Sequence, residues 1–445
     1  MSTNSNCPAD QHVQRLMDAE LRRAQSQYGS GGCRRPRSVG IVGAGVMGSA
    51  IAAAVVGRQI PVVMADENPR ALASVRQRIS SWLKMRPPTD GTASVDLPYL
   101  VRLGGSVDEA AQCDFVIESV AEKLAVKQQL LAHLEPRLGD GTVLASNTST
   151  IPLARLSTPL RNPGRLCGCH FFVPIGQAPM LEIVRGEKTR PETVAAAVGF
   201  ATAIGHLPLV VDDVPGFVIN RLLVPYLSAA MQLLAEGVTV EAVETAAESF
   251  GMIYGPLRLM DAIGLDTALQ CGFAIAGDAA ALVVGSPVLV AMVKAKQLGR
   301  KTCAGFFLYD TGDSPPRGLN PALAEALARW PQTPRPHTNE TILLRLLTPM
   351  LLEATRMLQR GIVRDAGQVD LAVLLGFGFP PSRGGLLYWA DQLGAAKIVA
   401  LLGTLDYLGP AAAPPPLLLA MAAENRKFHP SRPGEREPLM NADER

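Results

Sequence analysis

The chain has 445 residues, 48% of them hydrophobic, and a formal net charge of only +2. This length suggests two or three domains, and the apolar content can fill sizeable cores. The absence of a long basic run argues against nucleic-acid binding, and the polar first residues lack the apolar core of a signal peptide. The seven scattered cysteines predict reduced thiols in a cytoplasmic protein, and because nothing completes a zinc site around Cys167 and Cys169, no metal site is predicted.

The N-terminal part, residues 1–37, is predicted to contain a short amphipathic helix at 11–27 and the flexible linker GSGGCRRPR. The most apolar window of the chain, 273–293, is interrupted by Asp278 and by Gly285-Ser286-Pro287. A membrane span needs about 20 uninterrupted apolar residues, so this window predicts two buried helices and no membrane span.

Residues 38–213 alternate between short β-branched runs and helix-like segments. This alternation predicts a doubly wound parallel sheet of the Rossmann type, an α/β fold. The expected strands lie in SVGIVG, IPVVMAD, CDFVIESV, TVLASNTS, RLCGCHFF and LPLVVDD.

After Pro215 the sequence becomes rich in leucine and alanine, which predicts an all-α domain over 214–312. A proline-rich linker that contains a short helix follows at 313–339. A second helical region is predicted at 340–410, and the chain ends in a tail at 411–445, part of which is expected to be disordered.

The two helical regions resemble each other, which predicts a duplicated α domain. In the first pair of matched segments, Asn220 is replaced by Leu344, so only the first copy can supply that amide to a site. The matched segments are NRLLVPYLSAAMQLLAEG (220–237) with LRLLTPMLLEATRMLQRG (344–361), GMIYGP (251–256) with GFGFPP (376–381), and DAIG (261–264) with DQLG (391–394).

A glycine-rich turn joins the first predicted strand to a helix in SVGIVGAGVMGSAIA. Gly43 permits the tight turn, Gly45 lets the backbone approach a pyrophosphate, and Gly48 lets the helix pack closely on the strand. Val46 and Met47 complete the turn, and the free N–H groups at the start of the helix would bind the phosphates.

Asp66 ends the second predicted strand, eighteen residues after Gly48. A carboxylate there would bind the adenosine ribose hydroxyls and repel a 2′-phosphate, which favours NAD over NADP. Arg70, one helical turn further on, keeps NADP open as the alternative.

The segment CGCHFFVPIGQAPMLEIV (167–184) is apolar and strand-like, yet it carries His170 and, twelve residues later, Glu182. No charged residue lies between them. A histidine in such a strand is commonly a core residue with a satisfied hydrogen bond, whereas a histidine with a carboxylate partner can act as a base. The sequence around the pair decides between these alternatives.

From Ser146 onward the motifs resemble those of the L-3-hydroxyacyl-CoA dehydrogenases of fatty acid β-oxidation. The resemblance covers about 38–310, and the second helical copy resembles the C-terminal repeat of the multifunctional β-oxidation proteins. With about 37 residues ahead of the first strand, no enoyl-CoA hydratase activity is expected. The matching stretches are VGIVGAGVMGSAIA, DFVIESVAEKLAVKQQL, LASNTSTIPL, HFFVP, LEIV, VPGFVINRLLVPYL, YGPLRLMDAIGLD and LGRKTCAGFFLYD.

The resemblance implies NAD-dependent oxidation of (S)-3-hydroxyacyl-CoA to 3-oxoacyl-CoA in lipid metabolism. His170 would take the proton of the 3-hydroxyl group while hydride leaves for the nicotinamide, and Glu182 would fix the imidazole and stabilise its charged form. Ser146 and Asn220 match the residues that hold the reacting oxygen and the thioester end. The residues matched to the ribose and nicotinamide side of NAD are Glu122, Lys127, Asn147 and Lys301.

Three positions depart from the family pattern. Val173 replaces the asparagine that usually follows HFF, and Cys303 replaces a glycine, which implies strain if that glycine has positive φ. Trp82 lies near an expected serine, although nearby basic residues could still hold an acidic CoA. These basic residues are Arg76, Arg78, Lys84 and Arg86.

Two alternatives to the acyl-CoA dehydrogenase stay open. One is a dehydrogenase of another 3-hydroxy acid or of a sugar acid that uses the same pair. The other is a catalytically impaired NAD-binding subunit that binds a hydratase or thiolase partner through the helical repeats. A homodimer, and a chain in which the second copy takes the place of a partner, are both compatible with the repeat.

Overall fold

The computed structural model describes residues 7–29, 35–85, 95–172, 180–277, 285–312, 314–330 and 334–430. Val173, Arg86 and Asp278, which the sequence analysis singled out, lie outside these ranges. Within them, an N-terminal helix, α1 (Pro8–Tyr28), precedes an eight-stranded sheet, and two helical regions follow.

The sheet explains why the predicted strands are apolar on both faces. Its order is β3-β2-β1-β4-β5-β6-β7-β8, and almost every strand residue is buried because helices cover both faces. The strands are β1 (Val39–Val42), β2 (Val62–Ala65), β3 (Val101–Leu103), β4 (Phe115–Glu118), β5 (Val143–Ser146), β6 (Leu166–His170), β7 (Met180–Arg185) and β8 (Leu207–Asp212).

The sheet is parallel from β3 to β6, as predicted, but β7 runs antiparallel to β6 and parallel to β8. The last two strands therefore reverse the direction of the sheet. The sequence analysis expected one strand-like segment where β6 and β7 form two, and it did not predict the three-residue β3. The helices of this part are α2 (Val46–Val56), α3 (Pro69–Ala73), α4 (Val75–Met85), α5 (Leu97–Leu100), α6 (Val107–Ala110), α7 (Leu124–Leu134), α8 (Leu153–Leu156) and α9 (Pro191–Ala203).

The first helical region begins directly after β8. It ends in a small antiparallel pair of strands, so the prediction that strands stop after Pro215 is wrong at this point. The short helix predicted inside the proline-rich linker is α15. The elements are α10 (Ile219–Ala235), α11 (Val240–Phe250), α12 (Pro256–Ile263), α13 (Leu265–Ile275), α14 (Pro287–Lys294), β9 (Phe307–Tyr309), β10 (Pro316–Leu319) and α15 (Pro321–Ala328).

The second helical region repeats the order and approximate lengths of α10 to α13. A further helix lies where the sequence predicted only a tail. The elements are α16 (Asn339–Gln359), α17 (Ala366–Gly376), α18 (Leu386–Leu393), α19 (Ala395–Gly403) and α20 (Pro416–Glu424).

Each helical region contains a buried carboxylate that caps a later helix. Glu244 on α11 accepts the N–H of Leu257 at 2.9 Å, and Asp370 on α17 accepts the N–H of Leu387 at 2.7 Å. A glycine makes room for each carboxylate, because a Cβ at Gly255 or Gly385 would collide with it. A second acid in each region, Asp261 or Asp391, accepts two backbone N–H groups of the segment that ends the region.

These shared contacts correct one detail of the sequence alignment. Pro256 begins α12, but Pro381, which the alignment matches to it, begins a one-turn 3-10 helix, and α18 begins only at Leu386. The second region therefore has about five additional residues before this helix.

The two helical regions pack along α10 and α16. Arg221 on α10 donates from Nε to Oε1 of Glu353 on α16 at 2.8 Å, and both side chains are buried. Arg345 on α16 in turn donates to both carboxylate oxygens of Glu236, each at 2.8 Å. Because one continuous apolar core surrounds these ion pairs, the helical regions form one body.

Helix α1 packs against the sheet part and the second helical region rather than projecting from the chain. Its residues Ala9, His12, Glu20 and Ala24 are buried, and Glu20 pairs with Arg364 at 2.6 Å. Of the helices that the structure describes, none has the length and apolar character needed to cross a membrane. The cysteines of the described ranges are all outside disulfide bonds.

Candidate active site

The turn between β1 and α2 has the conformation that the glycine pattern predicts. Gly43 has φ of +110°, and a Cβ there would collide with the carbonyl oxygen of Ser119. A Cβ at Gly48 would collide with the carbonyl oxygen of Gly43, whereas the space beside Gly45 is open. No side chain caps α2, so its first N–H groups are available to an anion.

Asp66 lies beside this turn. Its Oδ2 accepts the N–H of Ala44 at 2.6 Å, its Oδ1 accepts the N–H of Asn68 at 2.8 Å, and the side chain is half-buried. The structure thus has a carboxylate beside the turn, and its binding of ribose hydroxyl groups stays a prediction.

Arg78 on α4 contacts this turn, although the sequence analysis counted it among the basic residues that could hold CoA. Its guanidinium donates to the carbonyl oxygen of Ala44, to Oγ of Ser49 at 2.9 Å and to the carbonyl oxygen of Ala71 at 2.8 Å. Arg76 donates to the carbonyl oxygen of Val101 at 2.8 Å. Both arginines are therefore engaged with the protein itself, which corrects their expected role in holding CoA.

His170 and Glu182 face each other across two antiparallel strands. His170 ends β6 and is the register partner of Glu182 on β7. Nδ1 of His170 lies 2.8 Å from Oε2 of Glu182, and their exposed fractions are 3% and 0%. The spacing of twelve residues thus reflects a hairpin in which opposite side chains share one face.

The carboxylate of Glu182 is also held by the first helical region. Its Oε1 accepts the N–H of Val218 at 2.8 Å and that of Ile219 at 3.4 Å, at the N-terminus of α10. The positive end of a helix dipole stabilises a negative charge at this position. The start of α10 therefore holds this completely buried carboxylate in place.

His170 lines a cavity of about 300 Å³. The rings of Phe172 and Phe217 lie 4.6 Å and 5.6 Å from its imidazole, measured between ring centroids. Since Nδ1 is held by Glu182, Nε2 is the ring nitrogen that can exchange a proton with a molecule in the cavity.

Two amides line the same cavity. Asn220, in the first turn of α10, donates from Nδ2 to the carbonyl oxygen of Ser149 at 2.8 Å. Asn147, after β5, accepts the N–H of Phe171 at 3.0 Å through Oδ1. The structure therefore brings both residues to His170, as the sequence predicted.

Ser146 does not lie where the sequence analysis expected. It is completely buried at the end of β5, its Oγ donates to Glu118, its register partner on β4, and it does not line the cavity. Ser149, three residues later in the turn, lines the cavity instead. The SNTST segment has two serines, and the sequence alone does not show which of them faces the cavity.

Glu122 lines the cavity, whereas Lys127 lies beneath it. Nζ of Lys127 is 2.8 Å and 2.9 Å from the carboxylate oxygens of Glu118 and 3.3 Å from Oε2 of Glu122. Burial raises the pKa of Glu122, but Lys127 and hydrogen bonds from Thr148 and Thr150 outweigh it and hold that pKa below its usual value. Lys127 thus orients Glu122, which corrects its expected place at the cavity wall.

Lys301 and Cys303 lie near the end of the first helical region. Nζ of Lys301 pairs with Oδ1 of Asp266 at the start of α13, and Lys301 does not line the cavity, contrary to its expected place. Cys303 has φ of +56°, so a cysteine occupies the left-handed conformation that the family glycine suggested. The other departure, Val173, is outside the described residues.

The remaining walls of the cavity are largely apolar and come from both helical regions. Leu223, Leu259 and Ile263 belong to the first region, and Leu374 and Phe377 come from the second. The sequence analysis assigned no role to the second region at this site. Its apolar pattern gave no signal, because residues of a cavity wall and of a core look alike.

Two family models match the chain. The NAD-binding domain of 3-hydroxyacyl-CoA dehydrogenase matches residues 38–214, and the C-terminal domain of 3-hydroxyacyl-CoA dehydrogenase matches residues 216–309. Together they cover more than half of the chain and include the cofactor turn, the His170–Glu182 pair and the first helical region.

Solved structures show the same resemblance. FadB2 from M. tuberculosis is 33% identical, with a TM-score of 0.58 over 62% of this chain and 100% of that chain. The (S)-3-hydroxybutyryl-CoA dehydrogenase PaaH1 from Ralstonia eutropha is 32% identical, with a TM-score of 0.56 over the same shares. A 3-hydroxybutyryl-CoA dehydrogenase from Escherichia coli K12 has the same fold, with a TM-score of 0.72, 24% identity, and coverage of 88% of this chain and 99% of that chain.

Proposed function

Because the chain belongs to the 3-hydroxyacyl-CoA dehydrogenase family, whose members are NAD-dependent oxidoreductases acting on CH–OH groups, we propose that it interconverts (S)-3-hydroxyacyl-CoA and 3-oxoacyl-CoA as a step of fatty acid β-oxidation. The observation that carries this proposal is the buried His170–Glu182 pair on the wall of a cavity that also reaches Met47 in the cofactor turn.

The residues of the turn fit NAD. The uncapped start of α2 and the open space at Gly45 suit a pyrophosphate, and Asp66 suits the ribose hydroxyls. When bound, NAD accepts the hydride that leaves the carbinol carbon. Glu122 and Asn147, which line the cavity near the turn, would contact the nicotinamide half.

His170 is the proposed general base. Its Nε2 would take the proton of the 3-hydroxyl group in the oxidation and return it in the reduction. A positioned acid–base group of this kind contributes about 10²–10⁴-fold to a rate. The surrounding rings of Phe172 and Phe217 exclude water, so the proton passes between substrate and imidazole.

Glu182 is a positioning residue in this mechanism. Its hydrogen bond fixes Nδ1 as the protonated nitrogen of the neutral imidazole, which leaves the lone pair of Nε2 for the substrate. When His170 becomes an imidazolium, the carboxylate lies beside the new charge. The N-terminus of α10 holds the carboxylate in place throughout.

Asn220 and Ser149 would bind the substrate on the side opposite the cofactor. Both line the cavity next to His170, and the hydrogen bond from Asn220 to the carbonyl oxygen of Ser149 fixes their relative position. Hydrogen-bond donors at this point can hold the 3-oxygen and the thioester oxygen, and polarisation of the 3-oxygen favours hydride transfer.

The acyl chain would occupy the apolar part of the cavity. Leucine, isoleucine and phenylalanine side chains from both helical regions form this part, and they bury an alkyl chain favourably. A free 3-hydroxy acid would bring a charged carboxylate, in place of the neutral thioester, to Asn220 and Ser149, and burial of that charge is costly. The lining thus favours a thioester over a free acid.

The proposal is tested by following loss of NADH absorbance with acetoacetyl-CoA and, in parallel, with free acetoacetate and with longer 3-oxoacyl-CoA thioesters. We expect turnover with the thioesters and at least about tenfold less with the free acid. Turnover with free acetoacetate alone would favour the alternative that the protein is a dehydrogenase of a free 3-hydroxy acid. NADH binding, measured by fluorescence, without turnover on any thioester would favour the impaired subunit.

A further inference from the structure

Three potential metal ligands meet at the second helical region, outside the cavity. His12 comes from α1, Asp370 from α17, and His429 from the segment after α20. Nε2 of His429 lies 2.7 Å from Oδ2 of Asp370, and Nε2 of His12 lies 3.9 Å from the same oxygen. The three ligand atoms all lie within 4.8 Å of one another.

His12 is buried at this cluster, and its Nε2 makes no hydrogen bond to the described residues. The residue is 8% exposed, and within the part of the chain that the structure describes this nitrogen has no hydrogen-bond partner. Its ring stacks on Tyr388 with 4.0 Å between centroids, which fixes the direction of the imidazole. A buried polar atom without a partner is destabilising, so a ligand for it would be stabilising.

Asp370 also needs a cation. It is completely buried, and its two oxygens accept the N–H groups of Leu387 at 2.7 Å and Tyr388 at 3.1 Å. The equivalent carboxylate of the first region, Glu244, has the arginine Arg258 at 3.5 Å. The second region has Tyr388 in place of that arginine, and two imidazoles from distant parts of the chain approach instead.

The surroundings orient the cluster as the outer shell of a metal site does. The backbone hydrogen bonds to Asp370 fix its carboxylate, and Asp391 holds the N–H groups of Phe428 and His429 at 2.7 Å and 2.8 Å. Metal-binding carboxylates and the segments that carry metal-binding histidines are typically held in this way.

We propose that His12, Asp370 and His429 bind a Zn²⁺ ion that fastens the N-terminal helix and the segment after α20 to the second helical region. Two imidazoles and a carboxylate are ligands that Zn²⁺ accepts, and a water molecule would complete a tetrahedron. The sequence analysis predicted no metal site, because His12 lies hundreds of residues before Asp370, His429 follows Asp370 by 59 residues, and these separations match no spacing motif.

The present distances allow such a site after a small adjustment. Zinc binds nitrogen and oxygen at about 2.0–2.2 Å, so tetrahedral ligand atoms lie about 3.4 Å apart. His429 and Asp370 would separate slightly, and His12 would approach them, since no two of the three ligand atoms are more than 4.8 Å apart.

The test uses the full chain purified without a polyhistidine tag, treated with a chelator and titrated with Co²⁺. We expect visible d–d absorption of a four-coordinate site that saturates at one equivalent. His12→Phe keeps the ring on Tyr388 but removes the ligand, and His429→Gln keeps a polar group. Each variant should weaken Co²⁺ binding about tenfold or more and abolish stabilisation by Zn²⁺ in a thermal shift.

The matched control is His133→Phe, because His133 is a half-exposed histidine paired with Asp108. It should leave Co²⁺ binding unchanged. Absence of d–d absorption in the wild type, or equal absorption in His12→Phe and His429→Gln, would overturn the proposal and leave an Asp370–His429 ion pair. Acetoacetyl-CoA reduction, measured on the same samples, separates this outcome from failure of the proposed function.

Discussion

The two helical regions have the same helix order, but they serve the active site in different ways. The start of α10 binds Glu182 through its N–H groups and presents Asn220 to the cavity. On α16 the equivalent residue is Leu344, in the second turn of that helix, and its side chain offers no polar group. The second region supplies an apolar wall, which includes Phe377. A repeated fold therefore keeps its packing while only one copy carries polar residues of the site.

The buried carboxylates sharpen this comparison. Glu244 and Asp370 cap corresponding helices, yet Glu244 has an arginine partner and Asp370 has two imidazoles. The segments that close the two regions also contain equivalent left-handed residues, Cys303 with φ of +56° and Asn425 with φ of +51°. The backbone is thus the same where the side-chain chemistry differs.

The largest effect on activity is expected at the His170–Glu182 pair, which contacts the start of α10 in the first helical region. His170→Gln should lower kcat for acetoacetyl-CoA by about 10²–10⁴-fold, because the base is lost. The dissociation constant for NADH, measured by fluorescence titration, should stay within about twofold of the wild-type value, since the cofactor turn is untouched. His133→Gln serves as the control, and near-normal turnover of His170→Gln would exclude this histidine as the base.

The next largest effect is expected when the residues that distinguish the two helical regions are exchanged. Asn220→Leu gives the first copy the residue of the second, and it should lower kcat/KM about 10–100-fold because the amide contact and the fixed Ser149 are lost. The reverse change, Leu344→Asn, lies at a half-buried position away from the cavity and should leave kcat/KM unchanged. Equal effects of the two variants would mean that the copies do not differ in this role.

The buried carboxylate of the first helical region, Glu244, should make the stability of the protein depend on pH. Burial raises the pKa of Glu244 from 4.5 to about 7. Between these values the folded protein binds more protons than the unfolded chain, so this group lowers the free energy of unfolding as pH rises. The free energy of unfolding, measured with urea, should therefore fall less with pH in Glu244→Gln than in the wild type. The difference between the two proteins should change by about 2 kcal/mol in favour of Glu244→Gln from pH 5 to pH 8.

The exposed neighbour Glu248 provides the control for this experiment, because it also pairs with Arg258. Glu248→Gln should keep most of the pH dependence of the wild type, because the charge of Glu248 raises the pKa of Glu244 less than burial does. A constant difference between Glu244→Gln and wild type across the pH range would contradict the raised pKa.

A smaller effect is expected at the left-handed residues. Cys303→Gly should raise the free energy of unfolding by about 1 kcal/mol, because glycine adopts positive φ without the strain that a Cβ causes. Asn425→Gly should change it by only a few tenths of a kcal/mol, since asparagine tolerates this conformation. Urea unfolding of both variants measures the difference, and destabilisation of Cys303→Gly would refute the strain.

The smallest effect concerns the wall that the second region supplies. Phe377→Ala should favour longer acyl chains, with kcat/KM rising about fourfold for each additional methylene that the new space buries. Leu393→Ala, at a half-buried residue of α18 outside the cavity, should leave the chain-length preference unchanged. An unchanged preference in Phe377→Ala would mean that the acyl chain does not reach this wall.

Much of the fold and of the cofactor turn could be predicted because local physics determines them. The three glycines of the turn and Asp66 follow from strand, turn and helix patterns, and the structure has them in the expected conformations. Family motifs brought His170, Asn220 and Asn147 to one cavity. The antiparallel β7 was missed although Pro174, Gly176 and Pro179, residue types that commonly break strands, lie in that segment.

The errors in the site arose where a side chain's direction depends on its neighbours. Ser146 points to Glu118 on the adjacent strand, and Lys127 and Lys301 are held by carboxylates of other elements, on β4 and α13. Arg78 likewise donates a hydrogen bond to the carbonyl oxygen of Ala44 in the cofactor turn. A motif shows that a residue lies near a site, but the register and the tertiary partners decide whether it lines the cavity.

The most direct test of the central claim is to follow the hydride itself. Wild-type protein is incubated with acetoacetyl-CoA and NADH that carries deuterium at both C4 positions, and the product is analysed by mass spectrometry and by the configuration at C3. The proposed dehydrogenase forms (S)-3-hydroxybutyryl-CoA with one deuterium at C3, and His170→Gln forms it far more slowly. A product without deuterium, or no NADH-dependent product, would contradict the account.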